Sequence, residues 1–292
     1  MSSTLIRSDT LAIDQSKVDR LFELLAALDK VIVAFSGGVD STLLLAMAIR
    51  TLGPQRVLAV TADSPTLPRS ELEETKALAS ELGCEHLIIQ TSELEDERFV
   101  SNPQDRCYYC KAELFEKLRE VATGRGFKHL LYGATAADLG DHRPGMVAAR
   151  EAGAIAPLLE AGFTKSDVRA LSRQIGLRTW DKPAMACLSS RFPYGDVITE
   201  AKLSQVEQAE EFLRQKLGFR QVRVRHHDRI ARIEVCPEEI PLLLQGENRE
   251  CIVAELKRLG YHYVTLDLQG FRSGSMNEAV EQPVARPKAK RY

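Results

Sequence analysis

The sequence has no apolar run approaching the length of a membrane span, and its opening stretch, MSSTLIRSDTLAIDQSK, is polar without a signal-peptide core. A cytoplasmic chain with no membrane partner is therefore expected. Neither sign of charge is in excess: 39 Lys and Arg stand against 41 Asp and Glu, a net charge of −2. Proteins that grip nucleic acid through its phosphates show a basic domain or stripe, so no nucleic-acid partner is expected. The basic stretch ARPKAKRY at residues 285–292 reads as a solvated, disordered end. No repeat recurs at a fixed period. Six cysteines at irregular spacing do not make a disulfide framework and point instead to thiol or metal chemistry.

At 292 residues the chain exceeds one typical domain, and 44% hydrophobic with 27% charged residues fits a globular protein with room for two cores. Residues 31–42 read VIVAFSGGVDST. Val31 to Phe35 is apolar throughout, as in a strand buried on both faces of a parallel sheet. From Asp40 the apolar positions Leu43, Leu44, Met47 and Ala48 follow helical spacing, with Asp40, Ser41 and Thr42 in the first turn. The pattern is strand, tight loop, helix. At such a junction backbone N–H groups converge on one spot, and the helix dipole favours a phosphate there. Gly37 and Gly38 let the backbone approach closely. The Lys of GxxxxGK[ST] is missing, which argues against a kinase or ATPase of that type. SGGVDS resembles instead the PP-loop, SGGxDS, of the N-type ATP pyrophosphatases, which hold the β and γ phosphates of ATP and release them together as pyrophosphate. That resemblance implies adenylation of a substrate oxygen, with Ser36, Gly37, Gly38, Asp40 and Ser41 at the nucleotide.

Along the chain, an amphipathic helix over 17–29 leads into the first strand, and RVLAVT at 56–61 is a second buried strand. Helical spacing over 69–83 ends at Gly83, a good stop signal. Residues 85–90 form a third strand, a helix starts near Tyr109 within CYYCKAELFEKLREVA, and HLLY at 129–132 is a strand. A helix over 164–176 starts at Thr164, with Asp167 as a capping-box analogue. Repeated βα units predict a doubly wound parallel α/β sheet with ligands at the carboxyl ends of its strands. The aperiodic KPAMACLSSRFPYGD is expected to be an active-site loop and domain boundary. Beyond it, a long helix over 199–217, strands RQVRVRHH and RIARIEV around a turn at Asp228, a helix near 247–259 and the strand HYVTLDL predict a small α+β domain with antiparallel strands. The expected division is a flexible N-terminus (1–16), a nucleotide domain (17–195), a substrate and oligomerisation domain (196–278) and a basic tail (279–292).

Cys107 and Cys110 form a CxxC at a helix start, compatible with a metal, a redox pair or neither. Cys187, in the irregular PAMACLSSR, is the candidate third ligand. A [4Fe-4S] cluster normally takes four cysteines, so three would leave one iron open to an exogenous group such as sulfide. Cys84, Cys236 and Cys251 read as small buried hydrophobes.

SGGVDS at 36–41, RCYYCK at 106–111, DLGDHRPG at 138–145, ACLSSR at 186–191, RVRHHD at 223–228 and GFRSGSMN at 270–277 together resemble the ATP-dependent pyridinium-3,5-biscarboxylic acid mononucleotide sulfurtransferases, the LarE family of nickel-pincer nucleotide synthesis. The resemblance spans about residues 15–277. It implies a PP-loop, adenine nucleotide alpha hydrolase-like fold, ATP and Mg²⁺ as cofactors, a homo-oligomer, and companion proteins that make the dicarboxylate and insert nickel. The reaction implied is adenylation of a carboxylate followed by replacement of AMP with sulfur. Two sulfur sources are implied: a single cysteine at the position of Cys187 that becomes dehydroalanine, or a [4Fe-4S] cluster on three cysteines. With Cys107, Cys110 and Cys187 all present, the chain is similar to the cluster branch.

Arg223 and Arg225 alternate on one strand and share a face, which suits the phosphate and carboxylates of a nucleotide. Arg191 is a further candidate for substrate contact. Glu211 and Glu234 match family positions for metal or substrate. Lys111 is a candidate to neutralise the acyl-adenylate, and Asp40 and Asp138 are candidates for Mg²⁺. The adjacent His226 and His227 point to opposite faces and are taken as structural. Rival readings are a tRNA-thiolation enzyme, disfavoured by the near-neutral charge, a nucleotide- and metal-binding protein without turnover, and an amidotransferase synthetase, for which the chain lacks room for a glutaminase domain.

Overall fold

Internal contacts divide the chain into two units, Met1–Met185 and Ala186–Tyr292, ten residues before the boundary expected from composition. The computed structural model describes residues 13–140, 143–272, 274 and 275. Residues 1–12, the basic tail, and parts of the DLGDHRPG and GFRSGSMN motifs lie outside the described residues.

The first unit runs α1 (Gln15–Ala26), β1 (Val31–Ala34), α2 (Val39–Leu52), β2 (Val57–Asp63), α3 (Arg69–Leu82), β3 (Glu85–Gln90), α4 (Glu97–Val100), α5 (Arg106–Arg125), β4 (His129–Tyr132), α6 (Pro144–Glu151), α7 (Pro157–Glu160) and α8 (Lys165–Gln174). Helix α1 starts earlier than its apolar spacing suggests because the Asp14 carboxylate accepts from the Ser16 N–H. Helix α8 carries the full capping box of Thr164 and Asp167. The four strands are parallel, in the order β3-β2-β1-β4. Alternation of side chains sends Val31, Val33, Val57 and Ala59 to one face, packed with Leu21, Leu43, Leu78 and Leu171 from α1, α2, α3 and α8. Ile32, Leu58 and Val60 go to the other, against Leu114, Phe115 and Leu118 of α5 and Ala149 of α6. Helices thus cover both faces, which is the doubly wound arrangement expected. After β1 the chain winds outward through β2 and β3, then crosses to place β4 on the other side of β1. That makes the end of β1 a topological switch point, where such sheets bind ligands.

The second unit runs α9 (Glu200–Glu211), β5 (Val222–His227), β6 (Ile230–Val235), α10 (Ile240–Leu243), α11 (Gly246–Arg258) and β7 (Tyr263–Leu266). The helix expected over 199–217 is α-helical only to Glu211 and continues as a π turn over Phe212–Lys216. Strands β5 and β6 are an antiparallel hairpin turning at Asp228, whose φ is 53°. The expectation of antiparallel strands fails for β7, which runs parallel to β6 because the chain returns through α11, a crossover that parallel pairing requires. Val222, Val224, Ala231 and Ile233 pack with Leu256 and Tyr261 in this unit's core. Among the described residues no helix is long and apolar enough to cross a membrane.

Strand β4 approaches the first turn of α2 so closely that a Cβ on Gly133 would lie 2.9 Å from the Ser41 nitrogen and 3.0 Å from the Asp40 carbonyl carbon. Backbone cannot yield as a flexible side chain can. Gly133→Ala is expected to lower stability by about 1–3 kcal/mol, read as a reduced urea midpoint. A midpoint equal to that of the parent would mean that β4 and α2 separate freely.

Candidate nucleotide and sulfur-transfer site

Phe35 follows β1 with its N–H on the Val60 carbonyl at 2.8 Å, and the Thr61 hydroxyl donates to the Phe35 carbonyl at 2.7 Å. The next residues turn sharply. Gly37 takes φ +67°, and a Cβ there would meet Thr75 Cγ2 at 3.0 Å. The Ser41 hydroxyl closes the loop: it accepts from the Ser36 N–H at 3.3 Å, lies 3.0 Å from Ser36 Oγ, and donates to the Gly38 carbonyl at 3.2 Å. Gly38 is the N-cap of α2 and contributes no side-chain hydrogen bond. The first-turn N–H groups of α2 therefore meet no side-chain cap, and they stand at the positive end of a fourteen-residue helix.

Asp40 pairs through one carboxylate oxygen with the Lys165 ammonium, while its other oxygen, Oδ1, is buried without a hydrogen-bond partner. An orphaned carboxylate oxygen beside an anion site fits Mg²⁺, which is held by one or two carboxylates plus substrate phosphates. Asp138 is placed differently. Its Oδ2 accepts from the Thr135 N–H at 2.8 Å and hydroxyl at 3.1 Å, and its Oδ1 lies 3.1 Å from the Arg143 guanidinium. Lys165 was missed by sequence reasoning, because its contact with Asp40 spans 125 residues of chain and leaves no local signal.

Cys107 and Cys110 lie one turn apart on α5 and share a helix face, Cys107 exposed and Cys110 half-buried. Lys111 is exposed beside them, and Gly145 at the start of α6 approaches so closely that a Cβ would meet Lys111 Cγ at 2.9 Å. Two accessible thiols at this spacing fit two ligand positions of an iron–sulfur cluster. Among the described residues no three His, Cys, Asp or Glu side chains gather as a metal site. Of the cysteines taken as buried hydrophobes, Cys84 and Cys236 are half-buried but Cys251 is exposed, because α11 turns Ile252 and Leu256 inward instead.

In the second unit Cys187 is exposed at the head of a short 3-10 turn, Leu188–Arg191. Arg191, expected to touch substrate, has no exposed side-chain surface. Its guanidinium donates to the Ala186 and Cys187 carbonyls at 2.9 and 3.0 Å and to the two Glu210 oxygens at 2.7 and 2.8 Å. It braces the cysteine loop from beneath. Arg223 and Arg225 do share a face of β5, with Arg232 and Glu234 opposite on β6. Arg225 grips both Glu234 oxygens at 2.9 and 2.8 Å and donates to the Ser190 carbonyl at 2.7 Å and the Ser275 hydroxyl at 2.9 Å. Arg223 lies 5.2 Å over the Phe271 ring. Burial and the repulsion of Arg191, Arg214 and Arg225, against attraction by Glu210, hold the Arg223 guanidinium down to about 9. It stays charged at neutral pH, with positive charge crowded around it. Glu211 is exposed on α9 and accepts from Gln215 at 2.7 Å, while its neighbour Glu210 is the carboxylate turned into the arginines. His226 is buried between the Phe192 and Tyr261 rings with its Nδ1 3.2 Å from the Tyr261 hydroxyl, a structural placement.

The parallel α/β unit with a PP-loop at its switch point defines a nucleotide-binding fold of the ATP pyrophosphatase class. The NAD synthase family pattern matches residues 18–117, which span α1 to α5. An uncharacterized protein of Synechocystis sp. is 44% identical over 91% of this chain and 98% of its own length. The pyridinium-3,5-bisthiocarboxylic acid mononucleotide synthase of Lactiplantibacillus plantarum is 43% identical over 91% of this chain and 95% of its own. An uncharacterized protein of Methanocaldococcus jannaschii is 26% identical over 84% and 91%. The chain belongs to the pyridinium-3,5-bisthiocarboxylic acid mononucleotide synthase family.

Burial alone would raise the Glu210 carboxyl, but the guanidiniums of Arg191, Arg214 and Arg223 outweigh it and bring it from 4.5 to about 2. Between those values the unfolded chain binds the extra proton, so stability is present above pH 4.5 and is lost as pH falls towards 2. Glu210→Gln is expected to cost about 3–5 kcal/mol by leaving Arg191 buried without its carboxylate. It should also flatten the fall of the urea midpoint between pH 5 and 2, and parallel pH profiles for parent and variant would refute this account of Glu210.

Proposed function

We propose that this enzyme converts the carboxylates of pyridinium-3,5-biscarboxylic acid mononucleotide to thiocarboxylates at the expense of ATP. The observation that carries the reading is the glycine-bearing loop of Ser36 to Ser41 at the switch point, at the uncapped start of α2, in a chain of which 91% aligns with a pyridinium-3,5-bisthiocarboxylic acid mononucleotide synthase. A carboxylate oxygen attacks the α-phosphorus of ATP, the bond to the β,γ-phosphates breaks, and pyrophosphate leaves. The acyl-adenylate has a good leaving group where the carboxylate had none. A sulfur nucleophile then forms the C–S bond, and AMP departs with the carboxylate oxygen.

In this reading the N–H groups of the loop and of the first turn of α2 hold the β and γ phosphates. Asp40 Oδ1 takes Mg²⁺, and Lys165, released from Asp40 when the cation arrives, neutralises the phosphates. Arg223 receives an anionic group of the substrate nucleotide, relieving the crowded positive charge around it. Glu211 is available to a metal or to substrate, and Lys111 to the adenylate. Cys107, Cys110 and Cys187 would hold a [4Fe-4S] cluster, which when bound supplies sulfide at its open iron. A cytoplasmic homo-oligomer working with proteins that make the dicarboxylate and insert nickel completes the proposal.

Pyrophosphate release from ATP is expected when the pyridinium dicarboxylate nucleotide is added and not when tRNA is added; release with tRNA alone overturns the assignment. Protein purified without oxygen is expected to carry about four irons and at least as many sulfides per chain, and Cys107→Ser to lose both. Parent protein without iron that still makes product once, with conversion of Cys187 to dehydroalanine by mass spectrometry, would move the sulfur source to Cys187 itself.

A further inference from the structure

The Gly37–Gly38 peptide is the least constrained part of the phosphate loop by sequence, since two glycines flank it and one sits at positive φ. Its orientation decides what the loop presents to an anion. In a trans peptide the carbonyl and the following N–H point in opposite directions. With the Gly37 carbonyl held by Lys182, the Gly38 N–H points to the side where Ser36 and Ser41 gather, donating a long hydrogen bond of 3.4 Å to the Ser36 hydroxyl that a phosphate oxygen can replace. Flipped, the same peptide would aim a carbonyl oxygen at the phosphates.

One side chain opposes the flip. The Lys182 ammonium donates to the Gly37 carbonyl at 3.1 Å and to Glu71 Oε2, in the first turn of α3, at 2.7 Å. Both side chains are largely buried, 15% and 14% exposed. The backbone that carries Lys182 is itself strapped down. Arg169 of α8 donates to the Trp180 and Lys182 carbonyls at 2.7 and 2.9 Å, and Arg178 pairs with Glu74 and Glu81 along α3. The ammonium is therefore a fixed charge, aimed at one carbonyl.

We propose that Lys182 is a positioning residue of the nucleotide site: held by Glu71, its ammonium locks the Gly37–Gly38 peptide with the Gly38 N–H presented to the phosphates of ATP. This rests on the reading of the loop as the ATP site. Lys182 acts through the peptide and does not touch the nucleotide. Its loss therefore weakens ground state and transition state alike, which raises KM for ATP and leaves kcat near its original value.

The test uses the full chain and the analogue α,β-methylene-ATP, whose binding is read by calorimetry without any acceptor substrate, beside substrate-triggered pyrophosphate release. Lys182→Met is expected to weaken analogue binding by about tenfold, the scale of one charge-assisted hydrogen bond, with kcat within about twofold and thermal unfolding still cooperative. Lys182→Arg should recover most of the affinity. Glu71→Gln should weaken binding in the same direction, because the ammonium is no longer held on the carbonyl. If Glu71→Gln instead tightens the analogue, the freed lysine grips phosphate directly and the peptide lock is wrong. Affinity within twofold of the parent for both Lys182→Met and Glu71→Gln also overturns it. A parent protein that fails to bind the analogue removes the ATP-site reading itself, an outcome distinct from parent binding with unaffected variants.

Discussion

A phosphate site made of backbone has to keep N–H groups of the loop and first helical turn available to its ligand, and groups held in reserve in this way supply little stability to the loop that bears them. Everything around Ser36 to Ser41 answers that constraint. The end of β1 is fastened through Phe35 to β2, the Ser41 hydroxyl spans the turn, Gly133 lets β4 press against the first turn of α2, and Thr75 closes on Gly37. The two charged contacts arrive from distant parts of the chain: Lys165 on Asp40, and Lys182 on the Gly37 carbonyl. Rigidity is imported from the sheet and its helices because the loop cannot generate its own.

The second unit meets a different difficulty, that of burying guanidiniums. A charge out of water is tolerated only when paired and fully hydrogen-bonded. Glu210 and Glu234 each receive more than one arginine, and further donors of Arg191 and Arg225 turn to backbone carbonyls. Those carbonyls belong to Ala186, Cys187 and Ser190, so the charge network that satisfies the arginines also fixes the backbone on which the exposed Cys187 thiol stands. Breaking a pair here would loosen the cysteine loop as well as the core beneath it.

The nucleotide fold was legible because its signals are local. An all-apolar strand, two glycines and a helical run identify β1, the loop and α2 from a dozen consecutive residues, and Thr164 with Asp167 marks the start of α8 through one capping box. Motif spacing likewise carried the family. Helix ends were less legible where a side chain or a π turn adjusts them, as at Asp14 and Phe212. The parallel course of β7 was invisible, since alternation within a strand is the same whichever way its neighbour runs.

Sequence by itself determined which residue types stand at the phosphate loop, at the CxxC and at Cys187, and so the class of chemistry open to the chain. Tertiary structure alone decided which charges meet. Adjacent positions on α9 send Glu210 into the arginines and leave Glu211 in solvent, a difference set by the 100° turn between successive helical residues relative to the packed face. Arg191, Arg223 and Arg225 look alike as sequence, yet one braces a loop, one lies over Phe271 and one is clasped by Glu234. Lys165 and Lys182 reach the loop across 125 and 145 residues of chain. Charge pairing depends on distance in space, and neither spacing nor composition records it.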